Sequence, residues 1–180
     1  MKRNIEKIVQ IPEGYQVELN GNEVVVKHQG KENKKVFILP DSKMSKTGQE
    51  IKIVSLNASK KQSKLIGTAV AHIKNMFSGM NEEFEYKLEV CNVHFPMVLK
   101  VEGNKLIIKN FLGETVDRVA EIAPRAKVEV KGNIVTVKSH DREAAGQTSA
   151  NIEIATKIRC RDRRIFQDGI FMIEKTGRRA

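Results

Sequence analysis

The stretch VELNGNEVVVKH at Val17–His28 and the stretch LKVEGNKLIIKN at Leu99–Asn110 repeat one pattern. Each reads as two alternating strands joined at Gly-Asn, a dipeptide that suits the positive φ angles of a tight hairpin turn. Because strand side chains alternate between two faces, Val24 and Val26 share one face, and the matching positions of the second copy do the same. We expect that face to be buried. The repeat indicates that the chain arose by internal duplication.

A helix is predicted to follow the first hairpin. Ile51–Leu56 has the composition of a strand, and Ser59 and Gln62 have the spacing of a capping box, in which two unpaired N–H groups at the helix start are satisfied. Apolar residues then recur at helical spacing as one stripe: Leu65, Ile66, Ala69, Val70, Ile73, Met76 and Phe77. Gly79 suits the end of this helix.

The second copy repeats the order of strands and helix. Val128–Val137 predicts a hairpin around Gly132, and a helix is expected from Asp141 to about Ile158. Its inward-facing residues are predicted to be Ala145, Ile152, Ala155 and Ile158. This helix is the weaker of the two, because Gly146 and Thr148 are poor formers of a helix interior.

The acidic stretch Asn81–Glu85 separates the copies and is the expected linker. The sequence therefore predicts two domains, residues 1–82 and residues 83–180. The expected class is α+β: two tandem copies of a small antiparallel β-sheet packed against one long helix.

Composition restricts the class of protein. The chain has 180 residues, and its hydrophobic content of 40% is sufficient for a packed core. Its 32 Lys and Arg against 22 Asp and Glu give a net charge of +10, which attracts polyanions because bound phosphates release counterions. The two cysteines, Cys91 and Cys160, are too few and too distant for a disulfide framework or a zinc site. With no signal peptide and no apolar run long enough to span a membrane, we expect a cytoplasmic protein without metal or cofactor.

The positive charge is segregated along the chain. The first predicted helix carries Lys60, Lys61 and Lys64, with Lys60 and Lys64 on the face away from its apolar stripe. Basic residues recur from Lys157 to Arg179. The second region is rich in arginine, whose planar fork pairs phosphate oxygens and stacks on bases. Such a distribution is typical of a nucleic-acid-binding surface, although a solvated charged loop with a frayed tail would have the same composition.

The C-terminal run has the pattern Ile158-x-x-Arg161-x-x-Arg164-x-Phe166-x-Asp168-Gly169-Ile170-Phe171-Met172-x-x-Lys175. It closely resembles the signature of the sixth large-subunit ribosomal protein family, in its archaeal and eukaryotic form. The duplication, the length and Gly113-Glu114 fit the same family. The chain departs from the family pattern at Ile154, usually Gln, and at Phe171, usually Tyr.

The resemblance implies a structural constituent of the large ribosomal subunit, not an enzyme. Members bind large-subunit ribosomal RNA, mainly through the C-terminal domain, close to the sarcin–ricin loop and the docking site of translational GTPases, and beside other ribosomal proteins. The RNA-binding side chains expected on this basis and on charge are Lys60, Lys61, Lys64, Lys138, His140, Arg142, Gln147, Ser149, Asn151, Lys157, Arg159, Arg161, Arg163, Arg164, Lys175, Arg178 and Arg179. We expect Phe166 to anchor the core, and Asp168 and Gly169 to form a turn.

Other functions have less support. The histidines are scattered without metal-ligand spacing, and no glycine-rich phosphate loop is present. An extra-ribosomal basic RNA-binding or adaptor protein remains an alternative. With seven Phe, two Tyr and no Trp, the chain has few aromatic platforms for bases, so we expect recognition of RNA shape and backbone.

Overall fold

The computed structural model describes residues 3–28, 30–176 and 178–179 and divides the chain into two compact units, Met1–Glu82 and Glu83–Ala180. The first unit contains β1 (Arg3–Gln10), β2 (Gln16–Asn20), β3 (Glu23–His28), β4 (Lys31–Val36), β5 (Ser42–Thr47), β6 (Glu50–Ala58) and α1 (Lys60–Asn81). The second contains β7 (Phe84–Cys91), β8 (Val98–Glu102), β9 (Lys105–Lys109), β10 (Arg118–Glu121), β11 (Lys127–Lys131), β12 (Ile134–Ser139), α2 (Arg142–Ala155), β13 (Gly169–Lys175) and β14 (Arg178–Arg179).

The two units repeat one topology. Sheets β1-β6-β5 and β2-β3-β4 of the first unit correspond to β7-β12-β11 and β8-β9-β10 of the second, and all neighbouring strands are antiparallel. The α+β class and the duplication predicted from the hairpins are therefore confirmed, with two sheets in each unit. The second unit also adds β13 beside β7 and β14 beside β13, so one of its sheets has five strands.

The repeated Gly-Asn turns set the register of the hairpins. Asn20 pairs with Glu23 across the first turn, and Gly21 has a φ of +62°. Positive φ at the first central residue alone is the pattern of a type II′ turn, whose twist matches that of the strands. This register buries Val24 and Val26 completely, as the alternation predicted.

Helix α1 begins as predicted and ends later than predicted. Ser59 caps it: its hydroxyl accepts a hydrogen bond from the Gln62 amide at 3.3 Å, and the Gln62 side chain accepts one from the Ser59 amide at 2.6 Å. The prediction that Gly79 ends the helix is wrong, because Gly79 lies buried within it. Packing of the next residue, Met80, against the core carries the helix to Asn81.

Helix α2 ends earlier than predicted, at Ala155 rather than near Ile158. Its cap residue Thr156 is buried, and its hydroxyl donates to the carbonyl of Ile152 at 3.4 Å. Ile158 still packs against the second core, but from the connection after the helix. Ala145 and Ile152 are fully buried, as predicted.

In the part of the chain that the structure describes, no helix combines the length and apolar character needed to cross a membrane. Among the same residues, no group of three or more His, Cys, Asp and Glu side chains is placed to hold a metal ion.

Substitution of a buried isoleucine on α1 tests the first core. We expect Ile66→Ala, at a position with no exposed surface, to lower the free energy of unfolding of the first unit by about 2–5 kcal/mol, because it leaves a cavity. Ile38→Ala makes the same chemical change at a side chain that is 84% exposed, and should change it by less than about 0.5 kcal/mol. Amide hydrogen exchange of α1 in urea measures the free energy of unfolding of both variants. Equal losses in Ile66→Ala and Ile38→Ala would contradict the assigned core.

Candidate nucleic-acid interface

One connection of the second unit, residues 156–168, carries five of the predicted RNA-binding cations, and we call it the arginine segment. It leaves α2 after Ala155 and enters β13 at Gly169. At its start the Thr156 hydroxyl accepts a hydrogen bond from the Ile170 amide at 3.0 Å. The beginning of the segment is therefore tied directly to β13.

The other end of the segment is fixed by a buried carboxylate. Asp168 is 2% exposed, and its Oδ1 accepts hydrogen bonds from the amides of Val93 at 2.8 Å and His94 at 2.9 Å. Its Oδ2 pairs with Nδ1 of the His94 ring. Burial opposes ionisation of Asp168, but the hydrogen bonds from His94 and Val93 together hold its pKa below the usual range. The carboxylate thus joins the segment to the loop after β7.

Phe166 has a different role from the one predicted. It is half-buried and stands outside the core cluster of the second unit, so the expectation of a core anchor is wrong. Its ring stacks on His94 with centroids 5.0 Å apart, and the Arg161 guanidinium carbon lies 4.8 Å from its centroid. Phe166 lies between these neighbours because the Asp168–His94 pair brings the two loops together.

The turn of the segment also differs from expectation. It lies at residues 163–165 and is closed by hydrogen bonds from the amides of Ile165 and Phe166 to the Asp162 carbonyl, at 3.2 and 2.9 Å. Asp168 is therefore not the turn-forming residue. Gly169 begins β13, and a Cβ there would lie 2.9 Å from the Phe171 ring, so close packing of that ring favours glycine.

The cations of the segment all point into solvent. Lys157, Arg159, Arg161, Arg163 and Arg164 are exposed. Arg164 pairs with Asp162 at 2.8 Å, and the hydrogen bonds that it donates lower the pKa of that carboxyl. With 90% of its side chain exposed, Arg164 still presents its guanidinium to solvent. Over the described ranges, Arg159 and Arg163 form no salt bridge, so neither guanidinium is paired directly with an acid.

The predicted RNA-binding side chains near the start of α2 are less available for contact with phosphate. Lys138 approaches Glu85 at 3.9 Å, and His140 approaches Glu83 at 3.2 Å. Both basic side chains are half-buried. Arg142 is exposed, with its guanidinium carbon 6.0 Å from the centroid of Phe84. Because Glu85 offsets part of the Lys138 charge and the His140 ring already contacts Glu83, both are weaker candidates for phosphate than the arginine segment.

The polar residues of α2 separate into two groups. Gln147 is exposed and donates to the Asn151 side chain at 2.8 Å, and Asn151 donates to the Glu121 carbonyl at 2.9 Å. Ser149 is fully buried, and its hydroxyl donates to the Ala145 carbonyl at 2.9 Å. The expectation that Ser149 contacts RNA is therefore wrong, because its side chain belongs to the core face of the helix.

The remaining candidates lie on other elements. Lys60, Lys61 and Lys64 are exposed on α1, in the first unit. Lys175 is exposed at the end of β13, where its backbone pairs with Arg178. The side chains of Arg178 and Arg179 lie outside what the structure describes.

Arg118 supports the arginine segment and was not predicted. It forms two hydrogen bonds to the Glu114 carboxylate, at 2.8 and 2.6 Å, and donates to the Ala155 carbonyl at 2.9 Å. Its guanidinium carbon also lies 4.1 Å from the Phe111 ring centroid. The Arg118 guanidinium thus satisfies a carbonyl that the end of α2 leaves unpaired. The closeness of Glu114 and Arg118 is visible in the sequence, but the long-range contact of Arg118 with the Ala155 carbonyl is not.

Replacement of the buried carboxylate tests the attachment of the segment. We expect Asp168→Asn to weaken protection of the Val93 and His94 amides by about 1–3 kcal/mol at pH 7, because a neutral amide oxygen accepts more weakly than a carboxylate and an NH2 group would replace the oxygen that pairs with the His94 ring. The folded-state pKa of Asp168 is lowered. The contribution of the ionised carboxylate to the protection of these amides is therefore fully present above the ordinary pKa of 3.8, and it is lost as the pH falls through the folded-state value.

Amide hydrogen exchange between pH 3 and pH 7 measures this difference. The exposed Asp162→Asn is the matched control, and it should leave these two amides unchanged. A difference between wild type and Asp168→Asn that does not shrink as the pH falls below 3.8 would contradict the assigned role.

Comparison with known proteins agrees with this architecture. The family described as Ribosomal protein L6 matches residues 11–83 and again residues 95–169, one match in each unit. A protein of Methanococcus vannielii named "Large ribosomal subunit protein uL6" is 42% identical over 97% of this chain and 96% of its own length. Proteins with the same name from Methanobrevibacter smithii and Methanosarcina mazei are 42% and 39% identical over 95% and 97% of this chain, covering 96% and 99% of their own lengths. The family predicted from the C-terminal pattern is confirmed, and the chain belongs to the ribosomal protein L6 family.

Proposed function

We propose that this chain is a structural, non-enzymatic constituent of the large ribosomal subunit that binds large-subunit ribosomal RNA. The relatives are named as proteins of the large ribosomal subunit, and the family matches both units of this chain. The observation that carries the proposal is the arginine segment: exposed cations on a connection fixed to the core at Thr156 and Asp168. The expected location is the ribosome, in the cytoplasm.

The second unit is the main RNA-binding body in this proposal. A folded RNA presents phosphates at fixed distances, so cations on an ordered backbone lose less conformational freedom on binding than cations on a disordered tail. Arg159 and Arg163 are exposed and supply charge to phosphate, while Arg161 is oriented by the Phe166 ring. The lysines of α1 would add weaker, peripheral contacts from the first unit.

The finer location is part of the proposal. We place the second unit near the sarcin–ricin loop and the region where translational GTPases dock, beside neighbouring ribosomal proteins. This placement rests on the resemblance of the C-terminal pattern.

Cys91 lies near the arginine segment, but burial, together with Glu89 and Asp168, raises the pKa of its thiol, which disfavours the thiolate that a nucleophile requires.

Sedimentation of the tagged full chain in a lysate of its own cells tests the assignment to the ribosome. We expect it to migrate with the large subunit and to remain there through a high-salt wash, because specific contacts persist when nonspecific phosphate binding is screened. Protein at the top of the gradient would instead support the extra-ribosomal RNA-binding or adaptor alternative.

Charge removal tests the arginine segment itself. We expect Arg159→Gln with Arg163→Gln to weaken binding to large-subunit ribosomal RNA and to reduce the slope of log affinity against log salt by about 1.5–2, because about two phosphate contacts are lost. Lys105→Gln with Lys127→Gln removes the same charge from exposed positions of the same unit. In this control variant the slope of log affinity against log salt should stay steeper than in the arginine double variant. If the two pairs reduce the slope equally, net charge alone accounts for binding.

A further inference from the structure

A cleft lies beside the arginine segment in the second unit. Its volume is about 590 Å³, and Ile154, Lys157, Ile158, Arg163, Phe166 and Phe171 contribute to its wall. The end of α2, the arginine segment and β13 therefore meet around one concave surface. Its volume falls within the range of about 300–1,000 Å³ that is typical of small-molecule sites.

Part of the wall is apolar and exposed. Ile154 is 59% exposed on the last turn of α2, and Phe171 is 37% exposed on β13. Contact with water is unfavourable for both side chains, and a partner that covered them would recover that free energy. Exposed apolar side chains that line a concave surface are typical of a binding site.

The rest of the wall is polar and charged in a way that restricts the partner. Lys157 and Arg163 are exposed, and Gln167 contributes an amide group. The wall also includes two carboxylates: Asp168 is bonded to Val93 and His94, and Glu153 can accept from an exocyclic amino group. An apolar protein side chain would cover the isoleucine and phenylalanine but would leave the cations unused. A nucleotide has an apolar base face, a hydrogen-bonding base edge and a phosphate, and so complements all of these groups.

We propose that this cleft receives one base extruded from an unpaired segment of large-subunit ribosomal RNA. The base lies against Ile154 and Phe171, and Lys157 and Arg163 bind the adjoining phosphates. Removal of a base from its stack costs least where it is unpaired, and contact with apolar side chains offsets that cost. This inference rests on the proposed function and specifies a contact that phosphate binding alone does not require.

Photocrosslinking from the cleft tests the proposal. A benzophenone amino acid is placed at Ile154 of the tagged full chain, and large subunits are purified from cells that express it. We expect crosslinks to one unpaired nucleotide, and at least 5-fold fewer crosslinks when Phe171→Ala is added. The control has the same group at Val98, which is 58% exposed in the same unit but does not line the cleft.

The outcomes separate this proposal from the proposed function. A chain that never enters the large subunit contradicts both. A chain that enters it, but crosslinks from position 154 to a protein, to paired nucleotides or as diffusely as from position 98, contradicts only the base site. The same holds if Phe171→Ala leaves the crosslink unchanged.

Binding of the protein to isolated large-subunit ribosomal RNA gives a second readout. Ile154→Ser and Phe171→Ala should each weaken binding about 5- to 20-fold while leaving the salt slope unchanged, because the lost contact carries no charge. Val98→Ser is the matched control and should bind as the wild type does. Wild-type affinity for both cleft variants, or a slope that falls with affinity, would overturn the proposal.

Discussion

A buried carboxylate holds the proposed RNA-binding surface in place. Asp168 loses the solvation of water, and its ionised form is retained because two backbone amides and the His94 ring bond to it. Removal of the carboxylate, or of the groups that donate to it, would leave an unsatisfied polar group. Such a group costs more free energy than a single hydrogen bond contributes. The pairing therefore selects one arrangement of two loops that are far apart in sequence. The position of Phe166, and through it that of Arg161, follows from this arrangement.

The backbone of the arginine segment and its side chains differ in how they are restrained. The backbone is fixed by Thr156 at one end and Asp168 at the other, and Arg118 holds the carbonyl of Ala155 just before it. The guanidinium groups of Arg159 and Arg163 remain in solvent. Binding of RNA would then order the arginine side chains, because the backbone that carries them is already ordered. This reduces the entropic cost while leaving each arginine free to meet a phosphate.

Local patterns predicted much of this fold, and long-range contacts account for most of what they missed. The hairpin alternation identified Val24 and Val26 as core, and the spacing of Ser59 and Gln62 identified the start of α1. Ser149 was misplaced because a serine in a helix can satisfy its hydroxyl on the preceding turn and be buried, which polarity alone does not reveal. Phe166 was misplaced for the opposite reason. An aromatic residue suggests burial, and only the contact with His94, distant in sequence, shows that it orders a surface loop.

The duplication explains why the two units differ as RNA-binding bodies. In both copies the repeat ends with the helix, and after α1 the chain passes to β7 of the next unit. After α2 the chain instead returns as β13 beside β7, the strand that corresponds to β1. That return requires a connection from the end of the helix back to the sheet, and the connection is the arginine segment. Among the described residues of the first unit, no such connection follows the helix. The lysines of α1 therefore lie on a regular helix face, whereas the arginines of the second unit lie on an irregular backbone beside a cleft. An irregular connection can present both charge and apolar surface to one partner, whereas the exposed face of an amphipathic helix presents mainly charge.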